Sequence, residues 1–302
     1  MKVMNRLIIT TISCLALLSA CKTKTAEAPI SGNLTIYEDF ASKYVESRAI
    51  RVWTPSDYDP SVRYDVIYMH DGQNLFDSTI TWNQQEWGVD EVLTKLIASG
   101  QIRPCIAVGI DNTSKRYAEY YPSDVCKYVP DGVIPEDFQP LGDEYLSFIV
   151  EEVKPFIDSL YSTLREPEHT FVMGSSCGGL ISSYALCRYP EVFGGAACLS
   201  THSSLMNPYT KIDQKPASEA YVAYFMANLP ADKEHFLYMD CGDCPIDSAY
   251  EESQAAINSM IGEMDWAKEN YMYKFFPGQS HSENYWRSRL DIPVTFLLKV
   301  QP

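Results

Sequence analysis

Thr170-Phe171-Val172-Met173-Gly174-Ser175-Ser176-Cys177-Gly178-Gly179-Leu180-Ile181 is the stretch whose reading decides the fold. Residues 170–173 are apolar or β-branched without alternation, as in a strand covered on both faces. A glycine-flanked turn follows, and residues 179–189 then carry a helical pattern. A strand that feeds a helix through so short a turn is one unit of a parallel sheet. Small residues at 174 and 178 let the backbone take a strained turn that pushes Ser176 out at the carboxyl end of the sheet, with the Cys177 amide turned to the same place. A buried serine in a glycine-rich turn is the competing reading, and the strand-turn-helix setting argues against it.

Outward from this unit, short runs rich in β-branched and aromatic residues fall at 34–37, 49–53, 65–69, 105–110, 196–199, 236–239 and 271–276, which with 170–173 makes eight expected strands. Helix-period segments lie at 89–99, 145–160, 179–189, 220–229, 250–267 and 284–298. The second is the clearest, with Leu146, Ile149, Val150, Val153, Phe156 and Leu160 on one face. Alternation of this kind predicts an α/β fold, a mostly parallel eight-stranded sheet with helices on both faces. The opening strands have no helix between them and are expected to pair antiparallel. No repeat or composition break appears after residue 33, so residues 34–302 are expected to form one domain.

A serine hydroxyl becomes a useful nucleophile only beside a base that is itself held by a carboxylate. With a strand-turn-helix serine, the expected chain order is serine, acid, histidine. His70 and His169 precede Ser176, His202 follows too soon, and His235 opens an apolar strand. His281 sits in Phe276-Pro277-Gly278-Gln279-Ser280-His281-Ser282-Glu283, a turn-rich loop between the last strand and the last helix, where the base belongs. The acid is expected just after the strand at 236–239. Asp240, Asp243 and Asp247 all qualify: Asp240 also suits a salt bridge at the strand end, Asp243 a tight turn, and Asp247 a helix N-cap. Asp247 is favoured, with Asp243 and Asp240 as alternatives.

The chain has 302 residues, 46% hydrophobic and 21% charged, which excludes a disordered or fibrous protein. With 24 basic against 40 acidic side chains, the formal charge of -16 makes nucleic acid an improbable partner, because phosphate neutralisation supplies most of such binding. Lys2 and Arg6 precede an apolar run at 7–18 that ends Leu18-Ser19-Ala20-Cys21. That pattern is read as a bacterial lipoprotein signal peptide, residues 1–20, with Cys21 as the lipidation site and residues 21–33 as lipidated cysteine and tether. The expected location is the bacterial cell envelope, with membrane contact only through the N-terminal lipid. Nine cysteines fall to seven after Cys14 is removed and Cys21 acylated, and an odd number leaves at least one unpaired. Cys241-Gly-Asp-Cys244 lacks the second pair a zinc site needs, so inert thiols or a structural disulfide are expected there and no metal.

Three pieces together carry a resemblance: Val66-Ile67-Tyr68-Met69-His70-Asp71-Gly72-Gln73-Asn74, the turn at Ser176, and Ser280-His281-Ser282-Glu283-Asn284-Tyr285-Trp286. Across about residues 35–300 the chain resembles the Putative esterase family of α/β-hydrolases, which includes feruloyl and acetyl-xylan esterases, enterochelin-type siderophore esterases, S-formylglutathione hydrolases and mycolyltransferases. The resemblance implies an α/β-hydrolase fold and a serine esterase that needs no cofactor, with Ser176 as nucleophile and His281 as base. By the same analogy the Gln73 amide is the second oxyanion-hole donor beside that of Cys177. Arg116, Glu119 and Tyr120 also match family positions, as pocket lining or as a surface ion pair. The segment at 240–247 departs from the family's usual form, which keeps the acid open. Trp82, Trp87, Tyr120, Tyr121 and Trp286 offer faces for a sugar or aromatic acyl group, or for core packing. The expected substrate is a small-molecule or oligosaccharide ester, with acyl groups on complex carbohydrate first. The alternatives are a siderophore trilactone and, outside the enzymes, a non-catalytic glycan-binding lipoprotein.

Overall fold

The computed structural model describes residues 23–25, 30–205, 213–231, 234–264, 266 and 269–300. The leader at 1–20 and Cys21 lie outside the described residues. Among those described, the strands are β1 (Thr23–Thr25), β2 (Asn33–Phe40), β3 (Arg48–Thr54), β4 (Asp65–His70), β5 (Cys105–Ile110), β6 (Thr170–Ser175), β7 (Gly195–Leu199), β8 (Phe236–Cys241) and β9 (Tyr271–Phe275). They form one sheet in the order β1-β2-β3-β5-β4-β6-β7-β8-β9. The first three pairings are antiparallel and all the others are parallel. Together with the helices this is the α/β-hydrolase arrangement. The eight expected strands are all present. The strand β1 falls inside the stretch 21–33 that the sequence pattern makes a tether. Its Thr-Lys-Thr backbone satisfies part of the open edge of β2.

Period-two alternation decides what each face of the sheet packs against. Val66, Tyr68 and Val172 point into one core with α3 (Gly142–Phe148), α4 (Lys154–Leu160), α5 (Cys177–Arg188), α6 (Lys215–Asn228) and α7 (Glu251–Glu263), while α2 (Arg116–Glu119) is a single turn beyond β5. Ile67, Met69, Phe171 and Met173 point the other way, onto α1 (Val89–Ala98) and the C-terminal helices α8 (Glu283–Arg289) and α9 (Asp291–Leu298). Each fully buried aliphatic or aromatic side chain here contributes about 1.5–3 kcal/mol.

Two helices depart from the sequence pattern, and a proline sits beside each departure. The segment expected at 145–160 is α3 and α4 joined through a π turn at Ile149–Val153. Pro155 has no N–H for a regular turn. The wider turn rotates the following face, so Ile157 is buried while Leu160 is 53% exposed. The helix expected at 284–298 divides at Leu290 because Pro293 cannot donate to the preceding turn. That break allows α8 to carry Trp286 toward the sheet edge while α9 packs beneath it.

The site is positioned by the junction of β6 and α5. Ser176 takes φ 56 and ψ -123, a region that ordinary side chains avoid. A Cβ on Gly174 would lie 2.7 Å from the Gly178 backbone carbon, so only glycine permits the approach of α5 to β6. Gly174→Ala is therefore expected to destabilise the fold by at least about 2 kcal/mol in urea melts and to lower any activity that depends on Ser176. The contrasting change Gly262→Ala, in open space on α7, should be neutral or stabilising by up to about 1 kcal/mol.

Candidate active site

Four loops leaving the carboxyl ends of parallel strands meet at Ser176: the turn after β4, the β6–α5 junction, the segment after β8 and the loop between β9 and α8. Crevices of this kind lie outside strand ends in open α/β sheets. The serine is fixed by its own backbone, with its N–H donating to Leu199 O at 2.9 Å and its carbonyl accepting from Leu180 and His202 at 3.0 and 3.1 Å.

His281 and Asp247 are brought together from different loops. His281 Nδ1 lies 2.5 Å from Asp247 Oδ1. The other carboxylate oxygen accepts from Ser200 Oγ at 2.6 Å and from the Gly242 amide at 2.7 Å. Burial works to raise the Asp247 pKa, but the bond and charge of His281, with the Ser200 and Gly242 donors, outweigh it and hold the carboxyl below its usual value. Gly242 is required by this approach, because a Cβ there would meet Gln279 O at 2.2 Å. The Trp286 and His281 rings pack edge to face, their centroids 4.9 Å apart.

The other two aspartates are committed elsewhere. Asp240 is buried on β8, where Arg289 donates to both of its oxygens at 2.8 and 3.0 Å, Tyr238 donates its hydroxyl and Ser200 its amide. Asp243 lies at the surface and accepts from the Gly278 amide at 2.7 Å, a bond that serves the turn.

The turn after β4 runs Asp71-Gly72-Gln73-Asn74. Among the described residues, neither the Gln73 amide nor that of Cys177, the first residue of α5, donates to a protein acceptor. Orphan amides at a helix start are ready donors for an anionic oxygen. Behind the turn, His70 is buried with its Nδ1 2.9 Å from Tyr145 Oη. Burial drives its pKa down to about 3, so it is a neutral ring. Burial likewise pushes the Cys177 thiol up, which keeps it protonated beside the serine.

Two cavities open onto Ser176 and His281. One, about 260 Å³, is lined by Tyr117, Cys177, His202, Ile246 and Tyr250. The other, about 440 Å³, has a polar floor of Gln73, Asn112, Arg116 and Glu283 and an aromatic wall of Trp82, Trp87 and Trp286. A larger space of about 600 Å³ between α6 and α7 contains none of these groups.

Of the aromatics singled out in the sequence, only Trp82, 83% exposed, stands free. Trp87, Trp286, Tyr120 and Tyr121 are buried, as the core-packing alternative has it. Arg116 and Glu119 do not pair with each other: Arg116 grips Asp71 and Glu119 is buried against Arg48. Sequence reasoning missed Ser200 and Arg289. A serine just past β7 and an arginine at the end of α8, against the start of the apolar α9, were the available signals. All seven described cysteines are free thiols, Cys241 and Cys244 included. No group of three or more His, Cys, Asp or Glu among the described residues is arranged to hold a metal.

The sequence pattern of the Putative esterase family matches residues 42–296. The chain is 28% identical over 155 residues to the uncharacterized protein YbbA of Bacillus subtilis (strain 168), a match covering 51% of this chain and 56% of that protein. The chain thus spans little more than half the length of that relative. Among solved structures, a ferulic acid esterase superposes with TM-score 0.63 at 18% identity, covering 89% of this chain and 99% of the other. The enterobactin esterase FES from Shigella flexneri does so at 0.60 and 19%, covering 91% and 60%. Likeness at such identities speaks for the fold.

The three aspartates can be separated by experiment. Asp247→Asn should lower ester turnover by about 10²–10⁴-fold while the melting temperature changes little. Asp240→Ala should cost about 3–5 kcal/mol of stability, since it strands buried Arg289, and Asp243→Asn should do neither. A normal rate in Asp247→Asn would remove it from the reaction.

Proposed function

The chain belongs to the Putative esterase family, and we propose that it is a carboxylic ester hydrolase that works as a serine esterase through Ser176, His281 and Asp247. The observation that carries this reading is the buried Asp247 carboxylate on His281 Nδ1, with the ring and the strained Ser176 lining the same two cavities.

Ser176 Oγ attacks the ester carbonyl carbon while His281 Nε2 takes the hydroxyl proton. Asp247 fixes the ring tautomer and stabilises the imidazolium that forms. The carbonyl oxygen, now negative, accepts from the amides of Cys177 and Gln73, charge that exists only along the reaction path. Collapse of this intermediate breaks the bond to the alcohol, which leaves with the proton from His281. Water then attacks the acyl-serine, with His281 as base, and releases the acid and Ser176. The chemistry calls for no metal or organic cofactor. Cys177 contributes its amide, and its protonated thiol takes no part.

Acyl groups on complex carbohydrate are the proposed substrates. The exposed face of Trp82 beside hydrogen-bonding Gln73 and Asn112 suits a sugar ring, whose apolar face stacks while its hydroxyls bond. The leader pattern at residues 1–20 supports anchoring in the cell envelope through Cys21, where such carbohydrate is encountered. Incorporation of labelled palmitate should be lost in Cys21→Ser, and its persistence would reject that anchor.

Ser176→Ala should fold with an unchanged melting temperature, lose labelling by a fluorophosphonate probe and lose turnover by several orders of magnitude. Retention of more than about a tenth of the activity would overturn the serine mechanism. Acetylated and feruloylated oligosaccharides assayed beside a siderophore trilactone decide the substrate. Preference for the trilactone would displace the carbohydrate reading, and a wild-type protein that binds glycan without labelling or turnover would displace the enzyme.

A further inference from the structure

We propose that Asn112 and Arg116 are positioning residues that clamp Asp71 and thereby hold the Gln73 amide in place for the oxyanion, an inference that rests on the serine-esterase reading. Asp71 opens the turn after β4 in the left-handed region, at φ 57 and ψ 48, where a side chain other than glycine is at a disadvantage. Something must keep it there.

Its carboxylate takes three hydrogen bonds from two residues. Arg116 donates Nε to Oδ1 at 2.7 Å and its terminal nitrogen to Oδ2 at 2.8 Å, a two-pronged grip that fixes the plane of the carboxylate. Asn112 Nδ2 donates to Oδ1 at 2.6 Å. The Asp71 amide donates to Tyr120 Oη at 3.1 Å. Asn112 reaches the turn a second time, since its own amide donates to Gln73 Oε1 at 3.1 Å. One residue thus ties down both sides of Gly72, through the Asp71 carboxylate and the Gln73 side chain. Gly72 closes the arrangement from below: a Cβ there would lie 2.7 Å from the Gly109 carbonyl carbon, so the turn rests directly on the β5 backbone.

Charge gives the grip a second consequence. Asp71 lines the 440 Å³ cavity beside Ser176, where negative charge develops during attack. A bare carboxylate there would oppose that charge, and the Arg116 guanidinium cancels it at contact distance. Arg116 lies with its carbon Cζ 5.0 Å from the Tyr120 ring centroid, which leaves the guanidinium one way to face. Two of its five N–H groups are committed to Asp71, and through that grip it acts on the reaction by way of the turn.

The test compares Arg116→Gln, Arg116→Lys and Asn112→Ala with the wild type, reading kcat and KM on p-nitrophenyl acetate and the affinity of a trifluoromethyl ketone that forms a tetrahedral adduct. Arg116→Gln should lower kcat about 100-fold, as for loss of one oxyanion donor, with KM within about threefold and ketone affinity falling in step with kcat. Arg116→Lys, which keeps the charge and loses the fork, should recover part of the loss. Asn112→Ala should reproduce the pattern more weakly, and it decides the question should Arg116→Gln not fold. A raised KM with unchanged kcat would make Arg116 a substrate contact and overturn the clamp, as would a lowered melting temperature with unchanged kinetics. Ser176→Ala, run in parallel, separates the two readings: an active Ser176→Ala sinks the serine mechanism, whereas an inactive one beside a fully active Arg116→Gln sinks the clamp alone.

Discussion

The closeness with which the backbone of α5 approaches that of β6 governs everything at the carboxyl edge of the sheet. Gly174 and Gly178 meet without room for a methyl group, and Ser176 between them is forced to φ 56. Conformations of this kind cost about 1–3 kcal/mol and persist only where the surroundings hold them. Here the end of β7 and the adjoining loop hold the residue, through Leu199 O on one side and the His202 amide on the other. The central strands, buried on both faces, therefore act as a rigid base for one strained residue, and the strain aims its hydroxyl outward.

Around that serine, buried charge is distributed so that each carboxylate has one task. Asp240 and Arg289 neutralise each other inside the protein. Ser200 stands between the two halves of the network, its hydroxyl donating to Asp247 while accepting from Arg289 and Trp286. Because Arg289 pairs with Asp240 and reaches Asp247 only by way of Ser200, Asp247 is left with neutral donors and His281. Buried ion pairs add little net stability compared with well-packed apolar groups. What this one contributes is orientation, since it fixes where the Asp247 carboxylate and the His281 ring can point.

The elements that kept most faithfully to the sequence pattern are those with one dominant local signal. Runs such as Cys105–Ile110 are continuous and apolar because parallel strands are covered on both faces, and they formed where the pattern placed them. Departures arose where a local rule met a proline or a neighbour. Leu160 lies outside the core because the π turn before Pro155 shifts the helical phase, a backbone event that residue spacing does not register. Trp82 and Trp87 are five residues apart and chemically identical, yet one is exposed and the other packs tilted against Trp286.

By itself the sequence determined the alternation of strands and helices, the strained serine at their junction and the one histidine in the loop before the last helix. Each is written in short-range chemistry: periodicity, glycine at a turn, a turn-rich segment. Which aspartate faces His281 was decided by the tertiary structure alone. Asp240, Asp243 and Asp247 lie within eight residues and are alike in local chemistry, but a carboxylate's role depends on what packs against it. Arg289 from the C-terminal helix takes the first, the Gly278 amide takes the second, and the third is left where Ser200 and His281 arrive from distant parts of the chain. The partners of Arg116 and Glu119 were settled the same way: close in sequence, they are drawn to opposite charges in different places, Asp71 in the turn after β4 and Arg48 on β3, because burial demands the nearest compensating charge and only folding says which that is.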